Sequence, residues 1–158
     1  MPTAAILTIS DTRSAGTRED TTTDQMTEIL KDAGIEVVAT QLVPDEHDEI
    51  AAAIVQVADQ ADLVLTSGGT GLAPRDVTPE ATRSVLDREA PGIAEAMRAE
   101  TARLQPLAWL SRAVAGQRGT TLVVNLPGNP KAVRECLDVL VPMLPHALKL
   151  SSGGGGQH

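Results

Sequence analysis

The groups of this chain best suited to chemistry lie in and around the run Leu65-Thr66-Ser67-Gly68-Gly69-Thr70-Gly71-Leu72-Ala73-Pro74-Arg75-Asp76-Val77-Thr78-Pro79-Glu80. It starts as an apolar strand, passes three glycines in four residues, and ends at a helix start. Glycines after a strand let backbone N–H groups approach an anion, because no Cβ stands in the way and positive φ costs little. A phosphate-bearing ligand held over a strand edge is the chemistry this suggests. The run is neither a Walker loop nor a dinucleotide G-x-G-x-x-G pattern. A tight connection that needs glycine for geometry alone is the plainer reading, but Gly68 and Gly69 with Thr70 and Gly71 exceed what a turn requires. The Thr70 hydroxyl either donates to a phosphate oxygen or bonds back to the loop. Thr78 reads as the N-cap of the following helix, with Pro79 its first residue and Glu80 placed against the dipole.

Asp45 and Asp76 form a second constellation, each in a loop after a predicted strand. Either one alone is as readily a turn or cap residue. Together on one edge they suit magnesium, which binds through one or two carboxylates and a substrate's phosphates. Arg75 either offsets phosphate charge or pairs with Asp76 or Glu80 at the surface. Leu126-Pro127-Gly128-Asn129-Pro130-Lys131 is a second strand-to-helix junction, with Asn129 as cap and Pro130 as first helical residue. Such an end binds anions or simply closes the helix. Ser10, Thr12, Thr101 and Ser111 are isolated hydroxyls, a residue class that mostly caps or stays solvated. His47, His146 and His158 show no triad or metal spacing.

The elements that must position these groups alternate along the chain. Ala4–Ser10 reads as a central strand, and Thr22–Ala33 as a helix with Met26, Ile29, Leu30 and Ala33 on one face, ended by Gly34. Glu36–Val43 is a β-branched strand, Glu49–Asp59 a helix, and Asp62–Ser67 a strand. Pro79–Glu89 and Ile93–Leu104 read as helices separated by Pro91-Gly92. Leu107–Ala115 and Thr120–Leu126 flank a hairpin signal at Gln117-Arg118-Gly119. The last helix has Val133, Cys136, Leu137 and Leu140 on its apolar face and is kinked or divided by Pro142 and Pro145. The pattern predicts an α/β fold, a three-layer α/β/α sandwich around a mostly parallel sheet. Ligands of such sheets bind beyond the carboxyl ends of the strands. The loops at Ser10-Asp11-Thr12, Pro44-Asp45-Glu46, Gly68 to Asp76 and Pro127 to Lys131 all follow strands, so they should converge on one edge.

With 158 residues, one domain over residues 1–150 is expected, followed by a flexible Gly/Ser-rich tail over 151–158. The core must be aliphatic, since there is no Phe or Tyr and Trp109 is the single Trp. A heterocyclic ligand therefore has little aromatic surface to stack on. A formal net charge of −8 argues against nucleic-acid binding. Cys136 excludes an intrachain disulfide and reads as a buried structural thiol rather than a reactive one. No apolar run approaches the ~20 residues of a membrane span and no signal-type segment is present, so a cytoplasmic location without membrane association is expected.

The residues quoted above resemble the molybdopterin-binding MoaB/Mog family, which includes the G domain of gephyrin. The resemblance rests on Thr66 to Gly71 with Pro74 to Ala81, and extends through Ile9 to Thr12, Val43 to Glu46, Pro91-Gly92, Leu110-Ser111-Arg112 and Asn125 to Pro130. It covers residues 4 to 150 in order. It implies an adenylyltransferase of molybdenum cofactor biosynthesis that transfers AMP from Mg-ATP to the terminal phosphate of molybdopterin and releases pyrophosphate. A homotrimer is implied, with hand-off to a molybdate-insertion enzyme. Carried over residue by residue, Asp45 and Asp76 are the essential acids and hold Mg²⁺ and the nucleotide. Gly68, Gly69, Thr70 and Gly71 cradle phosphate, and Thr101 and Ser111 lie on the pterin side. Ser10 and Asp11, with Gly128, Asn129 and Pro130, complete the pocket wall. The substrate phosphate is then the nucleophile, which fits a chain without an activated Ser, Cys or His. A non-catalytic molybdopterin carrier or scaffold is the rival expectation. Molybdate-insertion and nicotinamide-nucleotide amidase relatives normally carry further domains.

Overall fold

The computed structural model describes residues 1–16 and 20–154. Among these, a six-stranded sheet comprises β1 (Thr3–Ile9), β2 (Glu36–Val43), β3 (Leu63–Ser67), β4 (Arg88–Glu89), β5 (Ala115–Arg118) and β6 (Thr121–Leu126). The spatial order is β2-β1-β3-β6-β5-β4. β1 pairs parallel with β2 and β3, and β3 with β6, whereas β5 is antiparallel to both β6 and β4. The chain steps from β1 to β2 on one side and then to β3 on the other, so the direction of winding reverses at β1. That reversal opens a crevice at the carboxyl ends of β1 and β3.

The helices are α1 (Asp11–Ser14), α2 (Thr22–Asp32), α3 (His47–Ala58), α4 (Thr78–Arg83), α5 (Pro91–Ala102), α6 (Pro130–Leu140) and α7 (Leu144–Ser151). Alternation along each strand sorts side chains into two cores. Ala4, Ile6, Leu63, Leu65, Leu122, Val124 and Leu126 face α2, α5, α6 and α7. Ala5, Leu7, Ile9, Val64 and Val123 face α3 and α4. The inner strands are apolar on both faces because both are covered, which is why they read as continuous hydrophobic runs. Each fully buried aliphatic side chain contributes about 1.5–3 kcal/mol. The three-layer α/β/α sandwich expected from the sequence is the fold.

Several local expectations change. Thr78 is the first residue of α4 rather than its cap; Val77 is the N-cap, and Pro79 falls in the first turn. The Thr78 amide donates to the Gly69 carbonyl at 3.1 Å, so it belongs to the loop's own fastening. The helix expected over Pro79–Glu89 stops at Arg83, because Arg88 and Glu89 pair with Gln117 and Gly116 of β5. The open edge of β5 offers ladder hydrogen bonds that outweigh local helix propensity. Pro91 and Gly92 open α5 instead of separating two helices. The hairpin is present, but its first strand is Ala115–Arg118, which shares only Ala115 with the expected one, and the turn falls at Gly119 and Thr120; Pro106–Leu110 forms a 3₁₀ turn with Leu107, Trp109 and Leu110 exposed. Asn129 caps α6 as expected, its Oδ1 accepting from the Lys131 and Ala132 amides at 2.9 and 3.2 Å. Pro142 and Pro145 separate α6 from α7 through a short 3₁₀ turn.

The start of the expected tail also shifts. Ser151 closes α7 and is buried, with its hydroxyl accepting from Gln117 Nε2 and donating to the Thr120 carbonyl, each at 3.1 Å. Residues 155–158 of that tail, His158 included, lie outside the described residues.

Candidate active site

The four strand-to-helix loops meet at the carboxyl edge of the sheet and are tied to one another by backbone bonds. Ser10 N donates to Val43 O at 2.8 Å, and Gly68 N to Leu126 O at 3.0 Å. Gly68 adopts φ +106° and Gly69 φ +69°. A Cβ on Gly68 would overlap the Ile9 carbonyl oxygen, and one on Gly69 would overlap Thr78 Oγ1 and stand 3.0 Å from Asp45 Oδ1. Glycine is therefore demanded here by the chain's own atoms. The turn leaves the amides of Gly69, Thr70 and Gly71 without an acceptor among the described residues. Successive unpaired amides of this kind form a cradle for an anion.

Asp45 and Asp11 bind each other's backbones. Asp11 N donates to Asp45 Oδ2 at 3.0 Å, and Asp45 N to Asp11 Oδ1 at 2.9 Å. Arg75 fastens the pair from outside, donating to both Asp11 carboxylate oxygens at 2.7 and 2.9 Å and to Glu46 Oε1 at 3.0 Å. The expected pairing of Arg75 with Asp76 or Glu80 is thus replaced, because the fold brings Asp11 and Glu46 to the guanidinium. The Arg75 hydrogen bonds, and then the Asp45 amide, hold the Asp11 carboxyl below the usual carboxylate range. Asp45 is pushed the other way, chiefly by burial, and then by the negative charges of Asp11 and Asp76 against the relief given by the Asp11 amide and Arg75.

Asp76 turns its carboxylate back over its own loop, with Oδ2 accepting from Ala73 N at 3.2 Å. A Cβ on Gly71 would stand 2.9 Å from that same oxygen. Arg112 locks the loop in this shape. Its side chain donates to Gly71 O at 2.8 Å, Asp76 O at 2.7 Å and Glu80 Oε2 at 2.6 Å, while its amide donates to Thr70 O at 2.8 Å. The guanidinium lowers the Glu80 carboxyl correspondingly. Beneath the loop, buried Asn125 donates to Thr66 Oγ1 and Thr82 Oγ1 at 2.9 and 3.0 Å and accepts from Val114 N at 3.1 Å. This fully satisfied network joins β6, β3 and α4 under the site.

Two clefts open on this edge. The larger, about 590 Å³, runs between the glycine loop, α5, the 3₁₀ turn and the start of α6. Thr70, Gly71, Thr101 and Ser111 line it, as do Arg98 and Lys131. The smaller, about 290 Å³, is lined by Ser10, Arg13, Asp45 and Gly68 among others. Gly69, Asp76, Gly128 and Asn129 line both. Of the residues that the resemblance assigns to the site, Asp11 and Pro130 line neither: Asp11 supports Asp45 from behind, and Pro130 opens α6. The Thr101 hydroxyl donates to Met97 O at 2.6 Å and has only acceptor capacity left for a ligand. The Ser111 hydroxyl accepts from Ala113 N at 3.2 Å, so its proton remains available. Cys136 lies at the floor of the larger cleft, its thiol pushed up to about 11, first by burial and then by the Glu135 charge; it is a neutral lining group.

Magnesium fits the chemistry of this donor set. Asp45 Oδ1 and Asp76 Oδ1 make no hydrogen bond among the described residues, and both side chains line the smaller cleft. Two such carboxylate oxygens suit a cation whose remaining positions are filled by phosphates and water rather than a closed protein cage. Sequence reasoning missed Arg13 and Arg98, and met Arg112 only as a neighbour of Ser111. Arg98 stands one turn before Thr101 on α5 and donates to Ala113 O at 2.8 Å, so the spacing of those two residues was the signal available. Arg13, inside a polar run, carried none.

The chain matches the family described as "Probable molybdopterin binding domain" over residues 5–146. The molybdopterin adenylyltransferase of Helicobacter pylori strain J99 is 40% identical over 152 residues, covering 94% of this chain and 86% of that protein. Its counterpart in Escherichia coli K12 is 42% identical over 137 residues, covering 84% and 70% respectively. The crystal structure of the molybdopterin biosynthesis enzyme MoaB from Thermus thermophilus superposes with a TM-score of 0.92 at 54% identity, covering 97% of this chain and 98% of that one. The family match over most of the chain, the shared fold and this span of identity lead to one conclusion: the chain belongs to the molybdopterin-binding MoaB/Mog family of molybdenum cofactor biosynthesis.

Proposed function

We propose that the protein is a molybdopterin adenylyltransferase, transferring AMP from ATP to the terminal phosphate of molybdopterin. The observation that carries this reading is the pair of clefts meeting at Gly69, Asp76, Gly128 and Asn129. Two substrates entering from opposite sides would bring their phosphates together at that shared wall. Molybdopterin takes the larger cleft, where backbone groups and the Ser111 and Thr101 hydroxyls read the pterin and Arg98 and Lys131 offset its phosphate. The nucleotide reaches the wall through the smaller cleft.

In the transfer, an ionised oxygen of the pterin phosphate attacks the α-phosphorus of ATP. A new P–O bond forms, the bond between the α-phosphorus and the α,β-bridging oxygen breaks, and its electron pair leaves with pyrophosphate. No proton has to be removed from the nucleophile, so the site needs no general base. Its work is positioning and charge stabilisation. The amides of Gly69, Thr70 and Gly71 hold phosphate oxygens at the meeting point. Asp45 and Asp76 would hold Mg²⁺, which when bound neutralises phosphate charge. The Asp11–Arg75 arrangement keeps Asp45 in place, and Arg112 keeps Asp76 in place.

The family resemblance extends the proposal to a cytoplasmic homotrimer, since ATP is its co-substrate, that passes the adenylylated pterin to a molybdate-insertion enzyme. Leu104 and Trp109 offer exposed apolar surface outside the larger cleft for self-association. The described helices include none long and apolar enough to cross a membrane. The reading is tested by incubating the protein with molybdopterin and Mg-ATP and following pyrophosphate and adenylylated pterin. Stoichiometric formation of both supports the transferase. Tight pterin binding without either product would make the chain a carrier.

A further inference from the structure

Arg13 is 6% exposed, and its Nε has no hydrogen-bond partner. The described ion pairs include none that engages its guanidinium. An arginine cannot shed its proton, so a buried guanidinium without a counter-charge is costly unless a ligand supplies one. The side chain lines the smaller cleft beside Ser10, Asp45 and Asp76. Of the other arginines near the site, Arg75 is committed to Asp11 and Glu46 and Arg112 to the loop carbonyls and Glu80, while Arg98 lines the larger cleft only, its Nη1 donating to Ser111 O and Ala113 O.

We infer that Arg13 is the polyphosphate-binding residue of this protein, gripping the β- and γ-phosphates that depart as pyrophosphate. This rests on the adenylyl-transfer reading of the two clefts. The smaller cleft is polar and about half the volume of its neighbour, which suits a diphosphate better than a pterin. As the bond from the α-phosphorus to the bridging oxygen breaks, its electron pair moves onto the β-phosphate. A forked guanidinium placed there binds two oxygens at once and stabilises that charge. A pterin phosphate in the larger cleft has Arg98 and Lys131 at hand instead.

The test is calorimetric titration of inorganic pyrophosphate, with magnesium present, into wild-type protein and the Arg13→Gln and Arg13→Lys variants. AMP and molybdopterin are titrated in parallel, and far-UV circular dichroism checks the fold. Arg13→Gln should weaken pyrophosphate about 10- to 100-fold, the loss expected for a charge-assisted fork. AMP and molybdopterin should shift by no more than about twofold on the same scale. Arg13→Lys keeps the charge without the fork and should fall between; it carries the test should the glutamine variant unfold. Wild-type affinity for pyrophosphate in the folded variants overturns the inference. So does a loss confined to molybdopterin, which would assign the arginine to the pterin phosphate. The outcome is separable from the reaction itself: pyrophosphate binding that depends on Arg13 in a protein that makes no adenylate sinks the transferase and leaves the cleft assignment standing.

Discussion

Replacing Gly69 with alanine should injure stability and catalysis together, by amounts that follow from the loop's geometry. At φ +69° a residue with a Cβ is strained by about 1–2 kcal/mol. The added methyl would overlap Thr78 Oγ1 and press on Asp45 Oδ1 from 3.0 Å. Thr78 is fully buried at the start of α4 and has nowhere to move, so overpacking adds about 1–3 kcal/mol more. A total of about 2–5 kcal/mol corresponds to a fall of about 5–15 °C in melting temperature for a chain of this size. Displacing Asp45 by about 1 Å should lower kcat/KM about a hundredfold. Thr78→Ala removes the overlapping oxygen, which makes no hydrogen bond of its own. The double variant should therefore recover part of the loss, with a coupling of about 0.5–3 kcal/mol in a double-mutant cycle. Thermal unfolding and initial rates of the four proteins are the assay. Strictly additive losses, or a Gly69→Ala protein that melts and turns over like the wild type, would refute the claim that glycine is required by Asp45 and Thr78.

Two further substitutions separate holding the site from running it. Asp45→Asn should stop adenylate formation yet melt no lower than the wild type at neutral pH. Burial raises the folded-state pKa of Asp45, so the folded chain binds that proton more tightly than the unfolded one, and the charged form costs stability as pH rises from the unfolded value through the raised folded value. Thermal scans across that acidic window should show the wild type losing this increment and the variant not. Arg112→Ala should lower stability by about 2 kcal/mol and the rate by about tenfold or more, because the carbonyls of Gly71 and Asp76 lose a charged donor. Unfolding in urea and steady-state kinetics measure both effects.

The parts of the fold legible in the sequence were those governed by neighbours in the chain. Glu36–Val43 forms β2 as its β-branched run predicts, and Asn129 with Pro130 starts α6 because a cap and its helix lie within three residues. What stayed hidden depends on residues far apart. Arg75 meets Asp11 across 64 positions, and Arg112 meets Gly71 across 41, so nothing local distinguishes them from surface arginines. The short β4 exists only because β5 presents an edge to it, against a helical pattern in Pro79–Glu89. Thr78 carried a cap's sequence but serves the glycine loop instead. The aspartates and Arg75 were visible as candidates; the partners that Arg75 and Arg112 meet were not.

The proposed transfer takes place at the wall shared by the two clefts, where Asp76 stands. It is tested most directly by measuring turnover and molybdopterin affinity side by side in wild type and Asp76→Asn. Asp76→Asn should reduce the rate by about 10²–10³ or more, the scale of losing an aimed charge in such a site. Molybdopterin affinity should be nearly unchanged if, as proposed, Ser111, Thr101 and Arg98 read the pterin away from the shared wall. Undiminished pyrophosphate release from the variant would contradict it.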